Sequence, residues 1–208
     1  MKIIEIITIE NEIYPKVLKL IENPPKILYV EGNKDILNTN SISIIGSRSC
    51  SDEGIRVARK FARELAKQNI TVVSGMALGI DTAAHIGALE AEGHTIAVLG
   101  GGFKHIFPKE NTGLFHKIIE NGGAVITEYP PKKNVSSEQF LERNRIVSGL
   151  SLGTLVIEAA YRSGTSVTAS LAKKQGKRVF CIPHEMDNLH GVRDKQIIKT
   201  GSYISNRC

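Results

Sequence analysis

Two rhythms organise the apolar residues of this chain. From Ser41 onward, short β-branched runs alternate with stretches whose apolar residues recur every three or four positions, and a glycine-containing loop follows each run. Such runs predict strands at Ile42–Ile45, Thr71–Val73, Thr95–Leu99, Ala124–Thr127, Thr154–Ile157 and Arg178–Ile182. The clearest helix follows Ser51, a good N-cap, with Asp52 and Glu53 in its first turn and Ile55, Ala58, Phe61, Ala62 and Leu65 on one face. A second is expected to start with Asp81 as its cap and to carry Ala84, Ala88 and Ala91 before Gly93 stops it. Near-continuously apolar strands between helices imply a sheet buried on both faces, because each right-handed crossover lays its helix across the sheet. The expected fold is a doubly wound α/β domain over residues 41–208, with a mostly parallel sheet and helices on both faces. Residues 1–40 lack the alternation, with a short helix at Tyr14–Ile21 and a short strand at Ile27–Val30, and read as an N-terminal appendage.

In a sheet of this kind ligands gather where the strands' carboxyl ends open into loops. Along that edge, Gly46-Ser47-Arg48-Ser49 follows the first strand directly ahead of a helix start, so that backbone N–H groups, hydroxyls and a guanidinium converge as at an anion site. The second strand ends in Ser74-Gly75-Met76-Ala77-Leu78-Gly79, the third in Gly100-Gly101-Gly102 with Phe103, Lys104, His105, Phe107 and Lys109 beyond. Glu128, Tyr129, Lys132, Lys133 and then Phe140 to Arg145 follow the fourth, and Ser163-Gly164-Thr165-Ser166 opens another helix after the fifth. Each piece also has a plainer reading. The three glycines make a tight turn, Arg143 and Arg145 pair with Glu138 and Glu142 on a solvated helix, the aromatics are core, and Asp81 with His85 is capping plus packing rather than an acid–base pair. Their coincidence on one edge favours the ligand site.

Composition narrows the chemistry. The chain has 208 residues, 41% hydrophobic and 5% aromatic, with a formal net charge of +6, which leans towards an anionic partner. No apolar run reaches the roughly 18 residues of a membrane span, and the acids in Met1-Lys2-Ile3-Ile4-Glu5 do not suit a secretory signal. A cytoplasmic protein with no membrane association is expected. Cys50, Cys181 and Cys208 are far apart and form neither a disulfide framework nor a metal motif, so reduced thiols are expected. There is no Walker-type phosphate loop, no dinucleotide glycine fingerprint, no zinc-ligand spacing and no nucleophile elbow, so no cofactor, metal or catalytic group is expected. Cations interleaved with aromatics suit single-stranded nucleic acid, whose phosphates need charge and whose unstacked bases need flat partners.

An ordered series of segments resembles the bacterial DNA-processing protein A family, also called DprA or Smf: Gly46-Ser47-Arg48, then Ser74 to His85, Ala97 to Gly102 with Ile106 to Asn111, Phe140 with Arg143 to Ser151, and Val156 to Ala159 with Ser163 to Ala169. The resemblance is to the family's Rossmann-like core and covers the chain from about Pro24 to its end, so that residues 41–208 would be a Rossmann-like DNA-binding domain. It implies a binder of single-stranded DNA that protects incoming strands in natural transformation, loads the RecA recombinase, forms a homodimer and is not an enzyme. Carried over by position, Gly46, Ser47 and Arg48 would form a phosphate pocket with Ser74 and Gly75. Lys109, Arg143 and Arg145 would add charge, Phe140 would stack on a base, and Asn144, Ser163, Gly164 and Thr165 would supply hydrogen bonds or buttress the loops. Leu141 stands where the family has Pro, and Pro183-His184 and Gly191–Ile198 also depart from its pattern. A short first segment and an end at Cys208 lead to the expectation of a minimal family member. An alternative comes from Gly153-Thr154-Leu155-Val156-Ile157-Glu158, which is similar to a segment of nucleoside-monophosphate phosphoribohydrolases whose acid serves catalysis; Ser151-Leu152 replaces their paired glycines. A nucleotide sensor without turnover is the milder form of that alternative.

Overall fold

The β-branched runs and the stretches between them become strands β1 (Glu5–Thr8), β2 (Ile27–Gly32), β3 (Ser41–Ile45), β4 (Thr71–Ser74), β5 (Thr95–Val98), β6 (Ala124–Thr127), β7 (Gly153–Val156), β8 (Arg178–Cys181) and β9 (Tyr203–Ile204), and helices α1 (Lys16–Lys19), α2 (Asp52–Lys67), α3 (Ile80–Glu90), α4 (Thr112–Glu120), α5 (Ser137–Gly149) and α6 (Gly164–Lys174). They belong to a computed structural model that describes residues 3–159, 163–182 and 203–204. All six strands expected from the pattern are present, displaced by no more than one residue at either end.

The strands form one sheet of order β1-β2-β6-β5-β4-β3-β7-β8-β9. From β6 across to β9 every neighbouring pair is parallel, while β2 joins β6, and β1 joins β2, antiparallel. The doubly wound, mostly parallel architecture is therefore present. Both faces are covered, as continuous apolarity requires. Ile44, Val72 and Leu155 face the alanines of α2 and α3 (Ala58, Ala62, Ala66, Ala83, Ala84 and Ala88). Their chain neighbours Ile45, Val73 and Val156 face Ile146 and Val147 of α5 and Ala169 and Ala172 of α6. Leu114, Phe115 and Ile118 of α4 cover Ala97 and Val125. Small residues let α2 and α3 approach closely: a side chain at Gly87 would collide with the backbone of Arg59.

Residues 1–40 contribute β1 and β2, which extend the sheet beyond β6. Leu18, Ile21, Leu28, Ile36 and Leu37 from this segment sit in the same buried cluster as Ile146 and Leu150, and the Tyr14 hydroxyl donates to the Pro25 carbonyl at 2.7 Å. An edge hairpin has a different sequence signature from a βα unit, which is why the segment does not continue the alternation.

Local chemistry sets the helix starts that face the carboxyl edge. The Ser51 hydroxyl accepts from the Gly54 N–H at 2.9 Å and caps α2 as expected. At α3 the expectation needs correction: Gly79, at φ +75°, is the capping residue, and Asp81 lies inside the first turn. Its carboxylate instead reaches back to accept from Gly75 N at 3.1 Å and Ala77 N at 3.3 Å, tying the loop after β4 to the helix. Ser136 and Gln139 form a reciprocal capping box at the start of α5. Among the described residues no helix is long and apolar enough to cross a membrane.

Candidate functional site

The chain leaves β3 towards β4, β5 and β6 on one side, then returns to the other side of β3 with β7. The loops after β3 and β7 therefore diverge, and a crevice opens at this topological switch point. A cavity of about 740 Å³ occupies it. Its wall is built from Gly46, Ser47, Arg48 and Ser49 after β3, Gly75 and Ala77 after β4, Asp81 of α3, the loop residue Phe107, one face of α5, and Ser163, Gly164 and Thr165 at the start of α6.

Arg48 stands at the mouth. It is exposed, and no carboxylate among the described residues is within ion-pair distance of it. Its guanidinium carbon lies 5.6 Å from the centre of the Phe140 ring, a cation–π distance. Phe140 in turn packs against Phe107, with ring centres 5.5 Å apart and planes inclined by 43°. Phe107 remains 46% exposed, so the mouth presents an open aromatic surface beside a cation that has no ion pair among the described residues. The three glycines after β5 form more than a turn. A side chain on Gly100 would collide with Phe140, one on Gly101 with Val135, and one on Gly102 with the Pro130 and Pro131 carbonyls. These glycines are the bed on which Phe140 and the 130–135 loop rest.

The face of α5 that lines the cavity carries Ser137, Phe140, Leu141, Asn144 and Val147, at spacings of three and four, with Arg143 entering at the floor. Arg143 and Arg145, adjacent letters in one motif, are two residues and therefore about 200° apart around a helix. The structure separates them accordingly. Arg143 is only 4% exposed and donates through one terminal nitrogen to the carbonyls of Gly75 and Val98, and through Nε to Asn144 Oδ1 at 3.3 Å. Arg145 points away from the cavity, forms a two-pronged pair with Glu128 at 2.6 Å on each prong, and donates to the Asn23 carbonyl at 2.9 Å. Its acid partner is Glu128, not Glu138 or Glu142.

The floor is a desolvated ionic cluster. Burial pushes the Asp81 carboxyl above its usual range, while the Arg143 charge and the N–H groups of Ala77 and Gly75 pull it back. Burial also lowers Arg143 to about 10, opposed by Asp81, so the guanidinium is charged at neutral pH. His85, one turn beyond Asp81, is fully buried and pushed down to about 3 by desolvation and then by Arg143. Its Nδ1 meets the Thr95 hydroxyl at 2.7 Å. His85 is a neutral core residue, which accords with the packing reading of this pair. Asn144 Nδ2 donates to the Gly164 carbonyl at 3.4 Å, linking α5 to the start of α6. There, Ser163 caps the helix by accepting from Ser166 N, and the remaining first-turn amides favour an anion.

Of the thirteen residues expected at the site, the structure places Gly46, Ser47, Arg48, Gly75, Phe140, Arg143, Asn144, Ser163, Gly164 and Thr165 on the cavity wall, and leaves Ser74, Lys109 and Arg145 off it. Ser74 is buried in β4, its hydroxyl donated to the Ile44 carbonyl at 2.7 Å. Lys109 is exposed, two residues beyond Phe107. Phe103 is core, and the Tyr129 hydroxyl donates to Glu142. The wall also holds nine residues outside that expectation: Ile45, Ser49, Ala77, Asp81, Phe107, Ser137, Leu141, Val147 and Thr168; the helical spacing from Ser137 to Val147 is the signal that would have found the three on α5. Glu158, the acid of the phosphoribohydrolase alternative, is 3% exposed and is absent from the wall. Its carboxylate accepts from Ser51 N at 2.9 Å instead. Among the described residues no group of three or more His, Cys, Asp or Glu side chains could hold a metal ion.

Comparison with known proteins fixes the lineage. The model of the DNA recombination-mediator protein A family matches residues 5–207. The chain belongs to that family. It is 40% identical over 199 residues to the protein Smf of Escherichia coli, covering 96% of this chain and 53% of that one. Thus the chain spans about half the length of this curated DNA recombination-mediator protein A relative. DNA processing protein A from Streptococcus pneumoniae superposes with a TM-score of 0.89 at 35% identity, over 97% of this chain and 71% of the other. The protein of the same name from Helicobacter pylori, described for its single-stranded DNA binding mode, superposes with a TM-score of 0.87 at 31% identity, over 100% of this chain and 94% of the other. The departures at Pro183-His184 and Gly191–Ile198 lie outside the described residues.

Proposed function

We propose that this chain binds single-stranded DNA at the mouth of the switch-point cavity, without turning it over, and thereby protects incoming strands for recombination. The observation that carries the reading is Arg48: an exposed guanidinium with no acid partner among the described residues, resting on Phe140 over a cavity whose far wall is a helix N-terminus. A cation for phosphate beside an aromatic surface for a base is what an unpaired strand requires and a duplex does not. The relative from Helicobacter pylori, whose mode of binding single-stranded DNA has been described, supports it.

The same reading includes the RecA recombinase as partner, a homodimer as assembly and the cytoplasm as location; the first two rest on family resemblance. Mixing with RecA and size-exclusion chromatography with light scattering test the first two. The phosphoribohydrolase alternative is disfavoured because the Glu158 carboxylate is engaged with the α2 N-terminus and does not reach the cavity.

The deciding experiment is a titration of labelled oligo-dT and of a duplex of equal length. We expect tighter binding to the single strand, affinity that falls with salt, and uniform weakening across sequences by Arg48→Ala. No binding to oligo-dT at low salt would refute the proposal, and release of free base from AMP would restore the enzyme alternative.

A further inference from the structure

Arg48 is useful only if its loop is held, and one residue from the opposite side of the switch point holds both flanks of that loop. Ser47 N donates to the Glu158 carbonyl at 2.7 Å and Ser51 N donates to the Glu158 carboxylate at 2.9 Å, so Glu158 grips the Arg48 loop on both flanks. On the other side Ile80 N donates to the Ser47 carbonyl at 3.2 Å, and the lack of a side chain at Gly79 lets α3 approach the carbonyls of Ser47 and Arg48. The buried carboxylate also sits over the first turn of α2, close enough that a Cβ on Gly54 would strike its Oε2. An anion at that place is favoured by the free N–H groups of the helix start.

We propose that Glu158 is a positioning residue for DNA binding: its carboxylate pins the loop that presents Arg48 to a phosphate. This rests on the single-stranded DNA reading above. It assigns the acid of the β7 loop a role in a binding protein that owes nothing to bond cleavage. Glu158 never touches the strand; its effect passes through Ser51 N–H and the two residues, Ser49 and Cys50, between it and Arg48.

Salt dependence distinguishes positioning from general support of the fold. Each phosphate contact on a single strand contributes roughly 0.7 to the slope of log affinity against log salt. Oligo-dT affinity is measured across a salt series for the unmodified protein, Glu158→Ala, Glu158→Gln, Gly54→Ala, Arg48→Ala and the Arg48→Ala/Glu158→Ala pair. Glu158→Ala is expected to lower the slope by about that one contact and to weaken binding about tenfold at low salt, the loss expected of one charge-assisted contact. Glu158→Gln keeps an acceptor oxygen for Ser51 N–H and restores the slope. Gly54→Ala displaces the carboxylate without removing it and reproduces the Glu158→Ala slope, so the test survives if Glu158→Ala fails to fold by circular dichroism. In the Arg48→Ala background Glu158→Ala changes nothing further. An unaltered slope in Gly54→Ala and in any folded Glu158→Ala protein overturns the positioning role alone, as does an additive loss in the double variant. Failure of the unmodified protein to bind overturns the DNA reading itself.

Discussion

Arg143→Ala separates structural charge from binding charge. The Arg143 guanidinium is buried and satisfies the Gly75 and Val98 carbonyls and Asn144 Oδ1, while its charge opposes the desolvation of Asp81. Gly75 marks how tightly this is arranged: a Cβ there would lie 2.6 Å from an Arg143 nitrogen and 2.7 Å from an Asp81 oxygen. Truncation leaves those acceptors without a donor and a buried carboxylate without its neighbouring cation. Removing one side of a buried charged interaction costs about 3–5 kcal/mol. For a chain of this size each kcal/mol moves the melting midpoint by roughly 2–4 °C, so a fall of roughly 6–20 °C is expected.

The assay is thermal unfolding followed by circular dichroism, with Arg48→Ala and Asp81→Asn as comparisons. Arg48→Ala, on an exposed side chain without an ion pair among the described residues, stays within about 0.5 kcal/mol of the unmodified protein. Asp81→Asn removes the opposing charge, so combining it with Arg143→Ala costs less than the sum of the two single losses, because neither partner remains as an isolated buried charge. An Arg143→Ala protein that melts at the unmodified temperature yet binds oligo-dT as weakly as Arg48→Ala would refute this reasoning. Arg143 would then be a rim cation, as its place in the motif suggests.

Three further outcomes follow from the same geometry. Phe140→Ala removes the ring between Arg48 and Phe107 and is expected to weaken oligo-dT binding by about 1–3 kcal/mol in fluorescence anisotropy, the range for loss of one stacking platform; unchanged affinity would remove Phe140 from the interface. Gly87→Ala forces a Cβ into the Arg59 backbone where α2 crosses α3 and is expected to destabilise by about 1–3 kcal/mol in urea unfolding despite the better helix propensity of Ala. His85 is neutral in the folded state down to about 3 and protonates near 6.5 when unfolded. Its contribution is therefore fully present above about pH 6.5 and falls by up to about 1.4 kcal/mol per pH unit as the unfolded chain takes up the proton below it. Asp81, raised by burial, acts in the opposite sense. His85→Leu should flatten the acid limb of a stability–pH curve, and an unchanged limb would show that His85 is not its source.

What was legible in the sequence, and what was not, divides along a physical line. Strands β3 to β8 were readable because a parallel sheet covered on both faces favours apolar and β-branched residues on both, and Ile44 and Ile45 meet that demand on opposite faces. The cap at Ser51 was readable because its bond to Gly54 N–H is local. Asp81 was misread as a cap because its partners, Gly75 and Ala77, lie upstream, in a loop whose path the sequence does not disclose. The arginines of Arg143-Asn144-Arg145 were grouped because they are neighbours in the chain, whereas a helix sends them to different environments: one to Gly75 and Val98 beneath the cavity, the other to Glu128 outside it. Arg48 was read as part of an anion site because its loop lies at the carboxyl edge ahead of a helix start, and among the described residues it forms no ion pair. A cation in a motif is therefore evidence for an anion only once the surrounding carboxylates and carbonyls have been placed. Of the three arginines named from the sequence, Arg48 alone combines exposure, a place on the cavity wall and the absence of an ion pair among the described residues, so it is the residue on which the DNA reading stands.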